Sequence, residues 1–127
     1  MKFGYTIFYV ADVRSSLAFY QKAFGIETRF LHESGEFGEL ETGSTALAFC
    51  SHRLMTSMGK KSQAPQVDAP CFEIAFTTED VPAAVERAVA AGATLQRKPE
   101  QMPWGQTVAY VADQNSFLVE ICTPVGC

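Results

Sequence analysis

Residues 10–25 read VADVRSSLAFYQKAFG, and residues 80–92 read DVPAAVERAVAAG. Each stretch carries an Asp-Val pair, Asp12-Val13 and Asp80-Val81, and each closes on a glycine, Gly25 and Gly92. An aspartate just before an apolar-periodic run caps a helix by accepting from its first free amides. In the first stretch Val13, Leu17, Tyr20 and Phe24 recur at helical spacing and form one apolar stripe. Val81, Val85, Ala88 and Val89 make the corresponding stripe in the second. Gly25 and Gly92 are suited to the left-handed turn that ends a helix. The two markers are separated by nearly the same length in both copies, so the chain predicts a long internal repeat.

The segments around these helices repeat as well. Gly4–Val10 (GYTIFYV), rich in β-branched and aromatic residues, reads as a strand before the first helix. Extended pieces follow near Glu27–His32, Phe37–Glu41 and Thr45–Cys50, with turns at Gly35 and Thr42-Gly43-Ser44. In the second copy Pro70–Thr77 (PCFEIAFT) precedes the helix, and strands are expected near Ala93–Arg97, Gln106–Ala112 and Ser116–Cys122. Between the copies, His52–Pro70 (HRLMTSMGKKSQAPQVDAP) has little periodicity and reads as a linker or mobile loop. The expectation is an α+β fold: a single domain of two βαβββ modules, about residues 1–52 and 70–127, joined by a linker at about 53–69. One module alone leaves an apolar sheet face, so the pair is expected to form a curved eight-stranded mixed sheet around a cavity, helices outside. Such a cavity is a natural ligand site.

Composition limits the function. The 127 residues are 47% hydrophobic and 19% charged, which suits one globular domain and argues against disorder. A net charge of -4 argues against nucleic acid as a partner, because displacing counterions from phosphates needs a basic face. No apolar run approaches the ~18 residues of a membrane span. The opening Met1-Lys2-Phe3-Gly4 lacks a signal peptide's apolar core, so no membrane partner is expected and the cytoplasm is the expected compartment. None of the four cysteines forms a C-x-x-C pair, so a zinc knuckle or thioredoxin-like centre is unsupported. Three of them lie in apolar stretches and read as small core residues.

The two helical stretches, with Gln106–Ile121 (QTVAYVADQNSFLVEI), resemble the vicinal oxygen chelate superfamily. That superfamily includes glyoxalase I, extradiol dioxygenases and bleomycin resistance proteins. The resemblance covers nearly the whole chain. It implies four inward-facing metal-ligand positions, usually His or Gln, then Glu, His and Glu. These positions fall here on Tyr5, Ala48, Glu73 and Glu120, and only Glu120 keeps the enzymes' pattern. Alanine supplies no ligand, a tyrosine ligates well only as phenolate, and no imidazole remains to favour nickel or zinc. Glyoxalase chemistry needs a metal to stabilise an enediolate. The expectation is therefore no metal and no cofactor, and no residue is assigned a catalytic role.

Met102-Pro103-Trp104-Gly105, just before a strand, resembles the Pro-Trp-Gly of bleomycin resistance proteins. In those metal-free binders the tryptophan stacks on a planar ligand, and a phenylalanine on the third strand, here matched by Phe37, forms the other face. The residues themselves point the same way. Trp104 is the only tryptophan and stands in a Pro/Gly turn, where a rigid aromatic platform can meet a flat ligand. The plainer alternative is that it packs against the linker or a partner chain.

Strand alternation places Tyr5, Ile7 and Tyr9 on one inward face, with Ala46, Ala48 and Cys50, and with Cys71, Glu73 and Ala75 beside Leu118, Glu120 and Cys122. Small residues there leave volume for a ligand. Tyr5 is placed to donate to Glu73 or Glu120; those acids either favour cationic ligands or fill a dead metal site. The expected function is metal-independent sequestration of a small planar aromatic ligand by a homodimer. Its binding residues would be Trp104, Phe37, Tyr5, Ile7, Ala48, Glu73 and Glu120. The alternative is a glyoxalase-like lyase, or related metal-dependent enzyme, with an altered metal site.

Overall fold

A computed structural model describes residues 1–126. Tracing of the backbone separates two compact units, Met1–Ala64 and a second that begins at Pro65. In the first, β1 (Tyr5–Val10) leads into α1 (Val13–Phe24), followed by β2 (Thr28–Leu31), β3 (Phe37–Leu40), β4 (Ala46–Ser51) and a short α2 (His52–Ser57). In the second, β5 (Ile74–Thr77) leads into α3 (Val81–Ala90), then β6 (Thr94–Gln101), β7 (Thr107–Ala112) and β8 (Leu118–Cys122). The fold is α+β, and each unit is one βαβββ module. The eight expected strands form two four-stranded sheets with the same order, β1-β4-β3-β2 and β5-β8-β7-β6. In each, the first strand pairs parallel with the last and the remaining pairs are antiparallel.

Capping explains where the long helices begin. Asp12, in an extended conformation, accepts from the Ser15 amide at 3.1 Å, and Asp80 accepts from the Ala83 amide at 3.1 Å. Helix α1 ends at Gly25, whose amide returns to the carbonyls of Gln21 and Tyr20. It buries Val13, Leu17, Phe19 and Tyr20. The core of this unit is aromatic: Phe49 meets Phe8 at 5.9 Å and Tyr20 at 5.2 Å between ring centres. Gly38 on β3 allows α1 to come close, since a Cβ there would lie 2.8 Å from Leu17 Cδ1. Helix α3 buries Val81, Val85 and Ala88, but Val89 is exposed. Val89 stands eight residues after Val81, some 80° round the helix, at the edge of the stripe rather than inside it.

Several boundaries differ from the expectation. Strand β5 begins at Ile74 rather than at Pro70, and β6 runs on to Gln101. Proline cannot donate to a ladder, which fits a later start for β5. Ser116, expected at the head of β8, instead has a positive φ of 73° and serves the turn before it. The segment read as a linker opens with α2. Ser51 caps it, its Oγ accepting from the Leu54 amide at 2.9 Å. Gly59, at φ 77°, then reverses the chain, and the Lys60 amide donates to the Met55 carbonyl at 2.9 Å. Cys50 and Cys122 are buried as expected of core residues, whereas Cys71 is exposed. No helix among the described residues is long and apolar enough to cross a membrane.

Candidate functional site

In the first unit the register decides what shares a face. Paired residues on neighbouring strands point the same way. Tyr5 pairs with Ala46, Ile7 with Ala48 and Tyr9 with Cys50. From β3, Phe37 pairs with Cys50 and Glu39 with Ala48. The opposite face of β1 carries Phe8 and Val10, each 1% exposed, while Tyr5, Ile7 and Tyr9 are 57%, 43% and 36% exposed. The alternation read from the sequence is therefore present, with Phe8, Val10 and Phe49 turned towards α1.

Small side chains on β4, flanked by larger ones on β1 and β3, leave a hollow. Helix α2 follows β4 directly and lays its residues along one side. The result is a cleft of about 280 Å3 lined by Ile7, Tyr9, Phe37 and Cys50 from the sheet and by Leu54, Met55, Met58 and Lys60 from α2 and its reversal. Phe37 and Ile7 thus come together in one cleft. Ala48, fully buried, and Tyr5 share the sheet face but are not among the lining residues. Burial and the Glu36 carboxylate raise the Cys50 thiol above its ordinary pKa, against an opposing pull from Lys60.

In the second unit, Tyr110 on β7 pairs with Glu120 on β8, and Glu120 pairs with Ala75 on β5. Glu73, two residues before Ala75, comes to the same side. The Tyr110 hydroxyl lies 3.1 Å from Glu120 Oε1 and 3.4 Å from Glu73 Oε2, so it can donate to either carboxylate. Burial, a hydrogen bond with Glu120 and the repulsion of its charge raise Glu73; Tyr110 opposes this. Burial works against the charge on Glu120 too, but hydrogen bonds from Cys122, Glu73 and Tyr110 outweigh it and hold that carboxyl low. Burial and the bond to Glu120 push Tyr110 up to about 12, and burial with the same carboxylate pushes Cys122 to about 11.

Trp104 sits on the turn between β6 and β7 and is 67% exposed. Its Nε1 donates to Gln106 Oε1 at 2.8 Å, and Gln106 Nε2 donates to the Thr123 carbonyl at 2.8 Å. The indole is exposed yet tethered. The two histidines bond to nearby serines: His32 Nδ1 lies 2.8 Å from Ser34 Oγ, and His52 Nδ1 lies 2.7 Å from Ser62 Oγ.

The donors at the four ligand-like positions do not suit a metal. Ala48 offers none, and Glu73 and Glu120 spend theirs on each other and on Tyr110. Among the described residues, no group of three or more His, Cys, Asp and Glu side chains is gathered for an ion. The sequence reading missed Tyr110, although period-two alternation through Val108, Tyr110 and Ala112 was there to place it opposite Glu120. It gave to Tyr5 the donor role that Tyr110 fills. It also missed Met55, Met58 and Lys60, because a six-residue helix shows no periodicity to read.

The same architecture recurs in known proteins. The chain matches a glyoxalase/bleomycin resistance protein/dioxygenase family enzyme from Burkholderia phytofirmans PsJN at TM-score 0.82 and 24% identity, over 97% of this chain and 98% of that one. A glyoxalase-related enzyme from Fulvimarina pelagi matches at 0.82 and 24%, over 97% of this chain and 88% of that one. A protein of unknown function from Agrobacterium tumefaciens str. C58 matches at 0.78 and 25%, over 98% and 94%. No curated protein matches by sequence. The family described as Glyoxalase/Bleomycin resistance protein/Dioxygenase superfamily matches residues 2–121. With the repeated βαβββ module and a match spanning nearly its whole length, the chain belongs to the glyoxalase/bleomycin resistance protein/dioxygenase superfamily.

Proposed function

We propose that this protein binds a small planar aromatic ligand without a metal, as a homodimer. The observation that carries this reading is the cleft of the first unit, where Phe37, Tyr9 and Ile7 meet the thioethers of Met55 and Met58. Aromatic faces and polarizable sulfur favour flat, apolar ligands. The tethered, exposed Trp104 supports a second aromatic platform of the bleomycin-resistance kind. The exposed Tyr5 on β1, an edge strand, is apolar surface that a second copy would cover. A glyoxalase-like lyase fits the residues less well, because its metal would find Ala48 in place of a donor.

Titration of the metal-stripped protein with planar heteroaromatic probes, followed through probe emission and the single tryptophan, tests the proposal. Saturable binding that weakens about tenfold in Phe37→Ala is expected, roughly the loss of one well-packed ring contact. Absence of saturable binding across the panel, or binding indifferent to Phe37, would overturn it. Sedimentation equilibrium tests the dimer separately: a purely monomeric protein removes that part.

A further inference from the structure

We propose that the cleft of the first unit selects compact aromatic anions, arenes bearing a carboxylate or sulfonate, with Lys60 as the partner of their charge. This rests on the reading of that cleft as the binding site and adds the chemical class of its ligand. Of the residues that line it, Lys60 alone is charged. The rest are apolar, aromatic or sulfur-bearing, so an arene can be buried while its charged group stays near the ammonium.

Lys60 is held at this position by the backbone. Helix α2 ends, Gly59 turns back at φ 77°, and the Lys60 amide bonds to the Met55 carbonyl at 2.9 Å. The Lys60 backbone is thereby anchored to the same helix that supplies Met55 and Met58, and its side chain is exposed. Among the described residues no carboxylate lies within ion-pair distance of Lys60. Glu36, the acid acting on Cys50 at the cleft, is otherwise engaged. It accepts from Ser51 Oγ at 2.8 Å and lies 3.6 Å from Arg53 Nε. Lys60 and Glu36 act on the Cys50 thiol in opposite senses, Glu36 the more strongly. The volume, about 280 Å3, lies at the small end of ligand pockets and suits a compact arene.

This charge preference is opposite to the one that Glu73 and Glu120 suggested in the sequence. Those acids belong to the second unit and engage one another through Tyr110. The first unit's cleft offers a cation instead.

The test compares anilinonaphthalene sulfonate with the same anilinonaphthalene lacking the sulfonate, at low ionic strength. The anion should bind about fivefold tighter, the size of a partly exposed charge pair. Lys60→Met should abolish that difference between the two probes, and Lys60→Glu should invert it. Equal affinities in the native protein, or a preference for the anion that survives Lys60→Met, overturn this inference and leave the binding cleft standing. Failure of both probes to bind overturns the cleft as a site and the charge selection with it.

Discussion

The Tyr110 hydroxyl stands 3.1 Å from Glu120 Oε1 while also within 3.4 Å of Glu73 Oε2. One phenol therefore bridges the two acids that occupy ligand-like positions in the second unit. Tyr110→Phe removes the donor and leaves two facing carboxyls with less to hold them. We expect a loss of about 1 kcal/mol in urea unfolding, the scale of a partly exposed hydrogen bond to a charged group. In a spectrophotometric titration of phenolate, the native protein should show a tyrosine ionising near pH 12, absent from Tyr110→Phe. An unchanged titration curve would mean that Tyr110 does not feel the two acids.

The same pair sets a dependence on pH. Glu73 is raised in the folded protein by burial and by Glu120, so the native state holds this proton more tightly than the unfolded chain does. Its contribution to stability is complete below the ordinary carboxylate pKa and is lost as pH rises through the raised value. Glu120 is lowered, so its contribution is present above the ordinary value and is lost as pH falls through the lowered one. Glu73→Gln keeps a neutral side chain at every pH. Above the titration of Glu73 this variant should be more stable than the native protein, by no more than about 1 kcal/mol given the exposure of the site. Thermal unfolding across pH would show the advantage vanish in acid; an advantage that persists there would refute the assignment.

The paired helix caps give a test of the repeat. Asp12→Ala and Asp80→Ala should each cost about 1 kcal/mol in chemical unfolding. Serine at either position should restore most of the loss. A cost at one cap and none at the other would show that the two copies do not use their aspartates alike.

Gly38→Ala tests how closely α1 lies on β3. The added methyl would stand 2.8 Å from Leu17 Cδ1 and 3.3 Å from the Phe30 carbonyl oxygen. Leu17 is buried, so it has little room to yield, and a cost of about 1–3 kcal/mol is expected. A urea midpoint equal to the native one would mean that the helix shifts without penalty.

Much of the architecture was legible because it rests on local rules repeated twice. Asp12 and Asp80 cap, Gly25 closes, and the alternation through β1 separates Phe8 and Val10 from Tyr5, Ile7 and Tyr9. The stripes weakened at their margins, where Val89 is exposed and Phe24 only half-buried, because spacing alone does not separate an edge from a buried face. The site was less legible for two reasons. Helix α2 is a single capped turn and a half inside a Ser- and Lys-rich stretch, so Met55, Met58 and Lys60 carried no periodic signal. The partner of Glu73 and Glu120 depends on which strand lies beside β8, and register with β7, not sequence distance, brings Tyr110 there. Trp104 was readable from its Pro-Trp-Gly turn, while its tether to Gln106 depends on the geometry of that turn.

The most direct test of the central claim is calorimetry on metal-stripped protein titrated with anilinonaphthalene sulfonate, alone and then with nickel, zinc, manganese or magnesium added. The account expects saturable binding of the probe with the same affinity in every case, and no stoichiometric uptake of the metals by the protein. Tight metal binding, or probe binding that appears only once a metal is present, would contradict it and return Glu73 and Glu120 to the role of ligands.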